Sequence, residues 1–346
     1  MDDEIDTAVD AVGRPPGAPR SALGTRPPPS ALPARIGRYH VLASLGRGGM
    51  AEVFLAELHG PQGFRRQVAI KRLYPALADD PDSVARFVRE ATIATRLVHP
   101  SICHVYELDE DETGCFMVME HLDGVTLAVA LKVLARAQWL LPVPIVLRVM
   151  RSLCSGLHAA HELRERDGTP LGLVHRDVTP SNIVLTASGQ VKLLDFGVAK
   201  THDIRTQVGV VRGKPGYMSP EQILGRSLDR RSDIFSLGVV LYESLTGTRL
   251  FARARSQEAM HQVPDERVPD PRARRPDLPA AAVAVIDQAL SHDRDERFPT
   301  AAVMASALTA ALAPSQVASP EWVASMVHAI RERSGETTPS WNGAPS

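Results

Sequence analysis

Hydrophobic positions divide the chain into a region of short strands followed by a region of longer helices. After Arg38, short apolar runs at residues 39–42, 52–56 and 67–71 alternate with glycine-rich turns, a pattern typical of β-strands. Between residues 83 and 97, apolar side chains recur every three or four positions, which indicates one amphipathic helix. The first region therefore predicts a small antiparallel sheet interrupted by a helix.

Beyond residue 120 the helical period dominates. Helices are predicted at residues 145–162, 233–246, 280–291 and 300–312. The fold class that follows is α+β with two lobes. A small antiparallel β-sheet lobe with one helix occupies residues 35–120, and a larger, mainly α-helical lobe occupies residues 121–313.

The two ends of the chain differ from this central part. Residues 1–34 are rich in proline and lack apolar periodicity, so they are predicted to be a disordered arm. Residues 314–346 form a tail in which residues 321–332 predict a short amphipathic helix. Its apolar stripe consists of Trp322, Val323, Met326, Val327 and Ile330. Docking of this helix on its own lobe and contact with a partner both stay open.

Composition narrows the classes of partner. Apolar residues make up 44% of the chain, and 39 basic side chains balance 40 acidic ones, so no overall charge favours nucleic acid. Cys103, Cys115 and Cys154 show no Cys-x-x-Cys spacing, which argues against a disulfide framework and indicates a reducing, cytoplasmic location. The apolar run at residues 139–150 is short and contains Pro142 and Pro144, so no membrane anchor is predicted.

The strongest chemical signal is Val-His-Arg-Asp-Val-Thr-Pro-Ser-Asn at residues 174–182, followed by Asp-Phe-Gly at residues 195–197. The pair resembles the catalytic loop and the metal-binding loop of the eukaryotic-type (Hanks-type) protein kinases, in particular the bacterial serine/threonine members. The resemblance implies the two-lobed protein kinase fold. It also implies that Asp177 is the catalytic carboxylate and that Asn182 and Asp195 bind Mg²⁺.

The same resemblance extends to the first lobe. The glycine-rich run at residues 46–53 is similar to the loop that covers the ATP phosphates, with Ala51 in place of the third glycine. The alternative interpretation of this run is a plain hairpin turn. Its implied contact residues are Gly46, Arg47, Gly48, Gly49 and Val53. Ala69 and Lys71 lie in a Val-Ala-Ile-Lys run, and the resemblance implies that both contact the nucleotide. The lysine is expected to bind phosphate and to pair with Glu90; the alternative is that Glu90 is an ordinary acid on the helix surface.

Further landmarks follow the family order. The segment Met-Glu-His-Leu at residues 119–122 resembles the strip whose backbone binds adenine, which implies contacts at Glu120 and Leu122. Glu221 and Arg297 match a structural ion pair of the family. His175 is interpreted as structural, and so are His158 and His161, because no third metal ligand lies near that helical pair.

Two positions depart from the family pattern. Thr179 replaces a lysine that serine/threonine kinases usually carry, and Lys214 stands where many members carry a threonine. Thr201 and Thr206 are candidate phosphorylation sites, since a phosphate on Thr206 would pair with Arg176 and order the segment.

The sequence thus predicts an autophosphorylating serine/threonine protein kinase of bacterial signal transduction that uses ATP and Mg²⁺ and acts on protein substrates. A pseudokinase scaffold is the alternative, motivated by Ala51, Thr179 and Lys214. A small-molecule kinase is disfavoured by the long segment between residues 195 and 221, which resembles a peptide-docking activation segment. Tyrosine specificity stays open because the discriminating lysine is missing, and so does homodimerisation.

Overall fold

An antiparallel sheet forms the N-terminal lobe. The computed structural model describes residues 32–196, 214–251, 268–312 and 317–334. The strands of this sheet are β1 (Arg35–Ile36), β2 (Tyr39–Arg47), β3 (Ala51–His59), β4 (Arg65–Leu73), β5 (Val105–Asp111) and β6 (Gly114–Glu120). They are arranged in the order β1-β2-β3-β4-β6-β5, and every pair is antiparallel. The predicted antiparallel sheet is therefore confirmed.

Two helices follow β4 in this lobe, α1 (Pro75–Ala78) and α2 (Pro81–Ala94). The carboxylate of Asp80 accepts the backbone N–H of Ser83, which caps the start of α2. Phe87 and Ala91 are fully buried and pack α2 against the sheet. The predicted single helix therefore exists, but it begins and ends before the predicted bounds, and the one-turn helix α1 is additional because four residues are too short to show a period.

The C-terminal lobe combines helices with a small second sheet. Its elements are β7 (Gly124–Thr126), α3 (Leu127–Arg136), α4 (Val143–His161), β8 (Ile183–Thr186), β9 (Val191–Leu193), α5 (Pro220–Ile223), α6 (Arg231–Thr246), α7 (Ala280–Ala289) and α8 (Ala301–Ala310). The four predicted helices correspond to α4, α6, α7 and α8. Helix α6 is buried on all sides, as expected for the central helix of a lobe. The two-lobed α+β fold is confirmed.

The tail contains helix α9 (Pro320–Ser334), which packs against α3, β7 and β8. Val323, Val327 and Ile330 are buried in this contact, whereas Trp322 remains 52% exposed. The helix therefore docks on its own lobe, through a narrower stripe than predicted. Gly189, with φ +78°, permits the approach, because a Cβ atom there would overlap the carbonyl of Pro320.

None of the helices in the described segments is both long and apolar enough to cross a membrane.

A buried ion pair connects α5 to the chain between α7 and α8. Arg297 donates Nη1 and Nη2 to the two carboxylate oxygens of Glu221 at 2.8 and 3.0 Å, and Ser232 donates to the same carboxylate at 2.6 Å. Burial raises the pKa of Glu221, but the hydrogen bonds from Arg297 and Ser232 outweigh it, so the pKa lies below its ordinary value of 4.5. This pair stabilises the fold in the ionised form of the acid.

Replacing Arg297 should therefore destabilise the protein. Arg297→Ala leaves the Glu221 carboxylate buried without its cation, and we expect the free energy of unfolding to fall by about 3–5 kcal/mol. The difference from wild type should shrink as the pH falls through the lowered pKa of Glu221, because protonation removes the charge in both proteins. Denaturant titrations at neutral and acidic pH measure both effects. Arg294→Ala, which removes a surface arginine that is 40% exposed, is the control and should cost less than about 1 kcal/mol. Equal losses for the two variants would contradict the assignment.

Candidate active site

Residues 174–182 form a loop whose backbone is held by a residue of helix α6. The fully buried carboxylate of Asp233 accepts the backbone N–H groups of His175 and Arg176, each at 2.8 Å, and contacts Nε2 of His161 at 2.8 Å. Burial alone would raise the pKa of Asp233. The hydrogen bond and the charge of His161 are the largest effects that lower it, and the pKa is lowered overall. An ionised Asp233 thus holds the start of the loop.

Both ring nitrogens of His175 contact backbone groups. Nε2 donates to the carbonyl of Leu194 at 2.9 Å, and Nδ1 accepts the backbone N–H of Asp177 at 3.2 Å. The ring also packs on Phe196, with the ring centroids 4.6 Å apart. These contacts favour the structural interpretation of His175 over that of a base.

Asp177 and Asn182 face each other across the loop. The amide nitrogen of Asn182 donates to the backbone carbonyl of Asp177 at 2.9 Å and to its Oδ2 at 3.0 Å. Both side chains are buried, at 8% and 2% exposure. Because the amide nitrogen of Asn182 is engaged in this way, its amide oxygen is the atom available to a cation.

A buried cation connects this loop region to the N-terminal lobe. Nζ of Lys71 on β4 lies 2.7 Å from Oε1 of Glu90 on α2 and 3.0 Å from Oδ1 of Asp195, which follows β9. Burial lowers the pKa of Lys71, but the carboxylates of Asp195 and Glu90 more than offset it. The pKa of Lys71 is therefore raised and its ammonium group stays charged.

The backbone of Asp195 adopts φ +44°, in the left-handed region that side chains other than glycine rarely occupy. Arg176, with φ +67°, does the same in the neighbouring loop. Strained backbone of this kind persists where surrounding contacts determine it, and it clusters at functional sites. Here the contact between Asp195 and Lys71 is one such constraint.

The glycine-rich run forms the turn between β2 and β3. Gly46 and Arg47 end β2, while Gly48 donates its N–H to the carbonyl of Ala51 at 2.8 Å and closes the turn. Gly49 lies inside this turn. The guanidinium of Arg47 is engaged by Glu52 at 2.8 Å, so this side chain is held along the hairpin. Val53 pairs with Lys71 across the β3–β4 ladder, which places the run beside that lysine.

A small, mainly apolar pocket lies where the lobes meet. Three of the predicted nucleotide-binding residues, Ala69, Glu120 and Leu122, line it together with Met119. Three further lining residues were not predicted: Leu45, Cys103 and His121. Leu45 directly precedes the glycine-rich run, a signal that sequence analysis had available, whereas Cys103 belongs to no motif.

Thr179 and Lys214, the two positions that depart from the family pattern, both lie in described parts of the chain. Thr179 is buried, and its hydroxyl has no hydrogen-bond partner among the described residues. Lys214 precedes the short turn Pro215–Tyr217. Thr201 and Thr206 lie outside the described residues.

The donor set fits a magnesium ion. Asn182 offers its amide oxygen and Asp195 its carboxylate, of which Oδ1 is engaged by Lys71. Magnesium is commonly bound by one or two protein oxygens, with water and phosphate completing the shell. Within the described ranges there is no cluster of three or more His, Cys, Asp or Glu side chains that could hold a metal ion. Any cation at this site would therefore depend on water or phosphate oxygens for the rest of its shell.

The chain belongs to the protein kinase family. The protein kinase domain model matches residues 39–308. Two curated relatives are bacterial: tyrosine-protein kinase MasK of Myxococcus xanthus is 45% identical over 275 residues, and serine/threonine-protein kinase PknB of Mycobacterium tuberculosis is 38% identical over 279 residues. These alignments cover 79% and 77% of this chain but 42% of each relative. The chain thus spans about two fifths of the length of these relatives.

A solved structure agrees with this assignment. The crystal structure of the PknI kinase domain of Mycobacterium tuberculosis superimposes with a TM-score of 0.61 at 29% sequence identity, covering 82% of this chain and all of that domain. The predicted resemblance to bacterial eukaryotic-type protein kinases is therefore confirmed.

Filling the pocket should block nucleotide binding. Ala69 is 4% exposed, and a leucine side chain in its place would occupy the space between β4 and the strip at residues 119–122. We expect Ala69→Leu to weaken ADP binding by at least about tenfold, or roughly 1.4 kcal/mol. Calorimetric titration with ADP measures the change.

Ala135→Leu is the matched control for this experiment. Ala135 is exposed on α3, so the same enlargement there should leave ADP affinity within about twofold of wild type. Unchanged ADP affinity in a folded Ala69→Leu protein would show that the nucleotide does not occupy this pocket.

Proposed function

We propose that the chain is an active serine/threonine protein kinase that transfers the γ-phosphate of ATP to protein hydroxyl groups, including its own. The observation that carries this proposal is the geometry of five charged or amide side chains. Lys71, Glu90 and Asp195 form one contact set, and Asp177 and Asn182 form the other.

Each side chain has a proposed role that follows from its chemistry. Asp177 orients the acceptor hydroxyl and takes its proton as the phosphoryl group is transferred. Lys71, kept charged and oriented by Glu90, binds phosphate oxygens. The turn that contains Gly46, Gly48 and Gly49 borders the same phosphate site, with the N–H of Gly48 closing the turn on Ala51. The backbone at Glu120 and Leu122 contacts adenine in the pocket with Ala69.

Asn182 and Asp195 would hold a magnesium ion, which would supply positive charge against the phosphate oxygens. The fit rests on the free amide oxygen of Asn182 and on the carboxylate of Asp195. Lys71 shares Asp195, so it lies close to where the phosphates would bind.

The type of acceptor hydroxyl is the part of this proposal that the relatives leave most open. PknB is named a serine/threonine-protein kinase and MasK a tyrosine-protein kinase, so names alone support either residue type. Thr179 occupies the position where serine/threonine members usually have a lysine. We retain serine and threonine as the proposal because the bacterial relatives named for that activity are numerous among the matches.

The pseudokinase scaffold is the alternative function, and the complete set of charged groups argues against it. A scaffold has no need for the buried cation of Lys71 between two carboxylates, an arrangement that is costly to bury and serves phosphate binding. Ala51, which replaces the third glycine, is the first residue of β3, and its carbonyl accepts the N–H of Gly48. The turn therefore forms without a glycine at this position.

The wider setting is also part of the proposal. The domain spans residues 35–313, between a proline-rich arm at 1–34 and a tail at 314–346. Its proposed partners are protein substrates of bacterial signalling rather than nucleic acid, and a homodimer is a further candidate assembly. Three free cysteines support a cytoplasmic location. Phosphorylation of Thr201 or Thr206 is proposed to regulate activity.

Replacement of the proposed base tests the activity directly. Asp177→Asn keeps the size of the side chain but cannot accept a proton, so we expect phosphate transfer from ATP to fall by at least about a hundredfold. Transfer is measured with radiolabelled ATP on the chain itself and on a generic basic protein, and mass spectrometry identifies the modified residues. Phosphoserine or phosphothreonine supports the proposal, while phosphotyrosine alone would assign the chain to the activity named for MasK.

The result for wild type decides between kinase and scaffold. Binding of ATP without any transfer by the wild-type protein would favour the scaffold. Asp167→Asn is a matched control, because Asp167 lies at an exposed turn and its carboxylate contacts the neighbouring residue Thr169. It should transfer phosphate at the wild-type rate.

The proposed magnesium ligand Asp195 is tested by the effect of Mg²⁺ on ADP affinity. In wild type, adding Mg²⁺ should tighten ADP binding, because Asn182 and Asp195 would hold the cation and it would offset the charge of the phosphates. Asp195→Asn should remove most of that gain while leaving binding without Mg²⁺ within about threefold. Calorimetry at matched ionic strength, with and without Mg²⁺, measures the difference. An undiminished Mg²⁺ effect in Asp195→Asn would show that other groups bind the cation.

A further inference from the structure

Residues 119–122, proposed to contact adenine through their backbone, are called the adenine strip. The carboxylate of Glu120 in this strip joins three segments of the chain. Its Oε1 accepts Nζ of Lys192 at 2.7 Å and the backbone N–H of His104 at 2.7 Å. The backbone N–H of Glu120 in turn donates to the carbonyl of His104 at 2.9 Å. We refer to Glu120, Lys192 and His104 as the hinge clasp. It connects the end of β6, the residue before β5, and β9.

The side-chain part of the hinge clasp is largely shielded from water. The side chain of Lys192 is 8% exposed and that of Glu120 is 19% exposed. A charge pair at this depth is screened less than a surface pair, and the loss of one partner leaves the other without its counter-charge. The two contacts to Oε1 also restrict the carboxylate to one position, so that the backbone of Glu120 is fixed with it.

The hinge clasp extends a backbone ladder to the strand that precedes Asp195. The carbonyl of Leu193 accepts the N–H of Cys103, and the N–H of Leu193 donates to the carbonyl of Ser101, both at 2.9 Å. Lys192 is the neighbour of Leu193 on β9, and Asp195 follows two residues later. The adenine strip and the proposed phosphate end of the site are therefore attached to the same strand.

We propose that Lys192 is a positioning residue for the nucleotide: through Glu120 it holds the adenine strip at a fixed distance from Asp195. This inference rests on the proposed function. A nucleotide that spans both ends binds well only if the two ends keep their spacing, since recognition by backbone groups tolerates shifts of about 0.5 Å. Lys192 touches neither the acceptor hydroxyl nor the proposed base Asp177. Its loss should weaken nucleotide binding and leave the chemical step nearly unchanged.

The hinge clasp also assigns the Glu120 side chain a role distinct from adenine contact. Oε1 of its carboxylate is engaged by Lys192 and His104. We therefore assign the adenine contact to the backbone of Glu120, which lines the pocket. Exchanging the two charges, with a lysine at position 120 and a glutamate at position 192, would not restore the hinge clasp. An ammonium group at position 120 cannot accept a hydrogen bond from the backbone N–H of His104.

Lys192→Met in the full chain tests the inference, since methionine keeps much of the apolar stem without the charge. We expect the Kd for ADP with Mg²⁺ and the KM for ATP each to rise about tenfold, while kcat stays within about twofold. Lys192→Arg keeps the charge and should restore ADP affinity to within about threefold of wild type. Lys132→Met, at an exposed lysine of α3, is the matched control and should behave as wild type.

A double-variant comparison separates the hinge clasp from a general loss of stability. Glu120→Gln still accepts the N–H of His104 but carries no charge, and we expect about a threefold rise in the Kd for ADP. Adding Glu120→Gln to Lys192→Met should cause no further loss, because the charge pair is already broken. If Lys192→Met does not fold, Glu120→Gln and Lys192→Arg give the same comparison in a folded protein.

Three results would overturn the inference: unchanged ADP affinity in folded Lys192→Met, a fall in kcat at constant KM, or fully additive losses in the double variant. Calorimetry with ADP needs no turnover, so the test stands even if wild type binds nucleotide without transferring phosphate, a result that would overturn only the proposed activity. A wild-type chain that binds no ADP would overturn both.

Discussion

The arrangement of the two lobes around the site depends on one buried ammonium group. Lys71 comes from the N-terminal sheet, Glu90 from α2, and Asp195 from the chain that follows β9 of the C-terminal lobe. At this depth any of these charges is costly without its partners, so the contacts constrain the three elements together. The same contacts hold a residue of α2 and Asp195, whose backbone is left-handed, against one ammonium group. The same atoms therefore contribute to the stability of the fold and to the proposed binding of phosphate.

The proposed catalytic loop is fixed by a second buried charge, Asp233 on the central helix α6. Asp233 holds backbone N–H groups of the loop and His161 of α4, so the loop is supported by two helices of the lobe core. The side chains that carry the proposed chemistry, Asp177 and Asn182, are then oriented by each other. Sites built in this way keep their geometry before substrate binds, which is the condition for electrostatic catalysis.

Sequence patterns and family resemblance predicted different parts of this structure. Hydrophobic periodicity was sufficient for α4, α6, α7 and α8, because each buries apolar residues over several turns. The contacts of Lys71 with Glu90 and of Glu221 with Arg297 were expected only from the resemblance, since their partners are distant in sequence. Neither source indicated α3, whose short apolar run has only two charged residues, or the three- and four-residue strands β7, β8 and β9. Lys192 was missed because its partner, Glu120, is 72 residues away and one of the contacts involves backbone.

A crystal structure of the chain with Mg²⁺ and a non-hydrolysable ATP analogue tests the central claim most directly, namely that the Lys71 contacts assemble a magnesium-nucleotide site between the lobes. The account predicts oxygens of Asn182 and Asp195 at about 2.1 Å from Mg²⁺. It also predicts Lys71 Nζ within hydrogen-bond distance of phosphate oxygens and adenine in the pocket beside Ala69. A nucleotide bound elsewhere, or a cation bound without Asp195, would contradict the account.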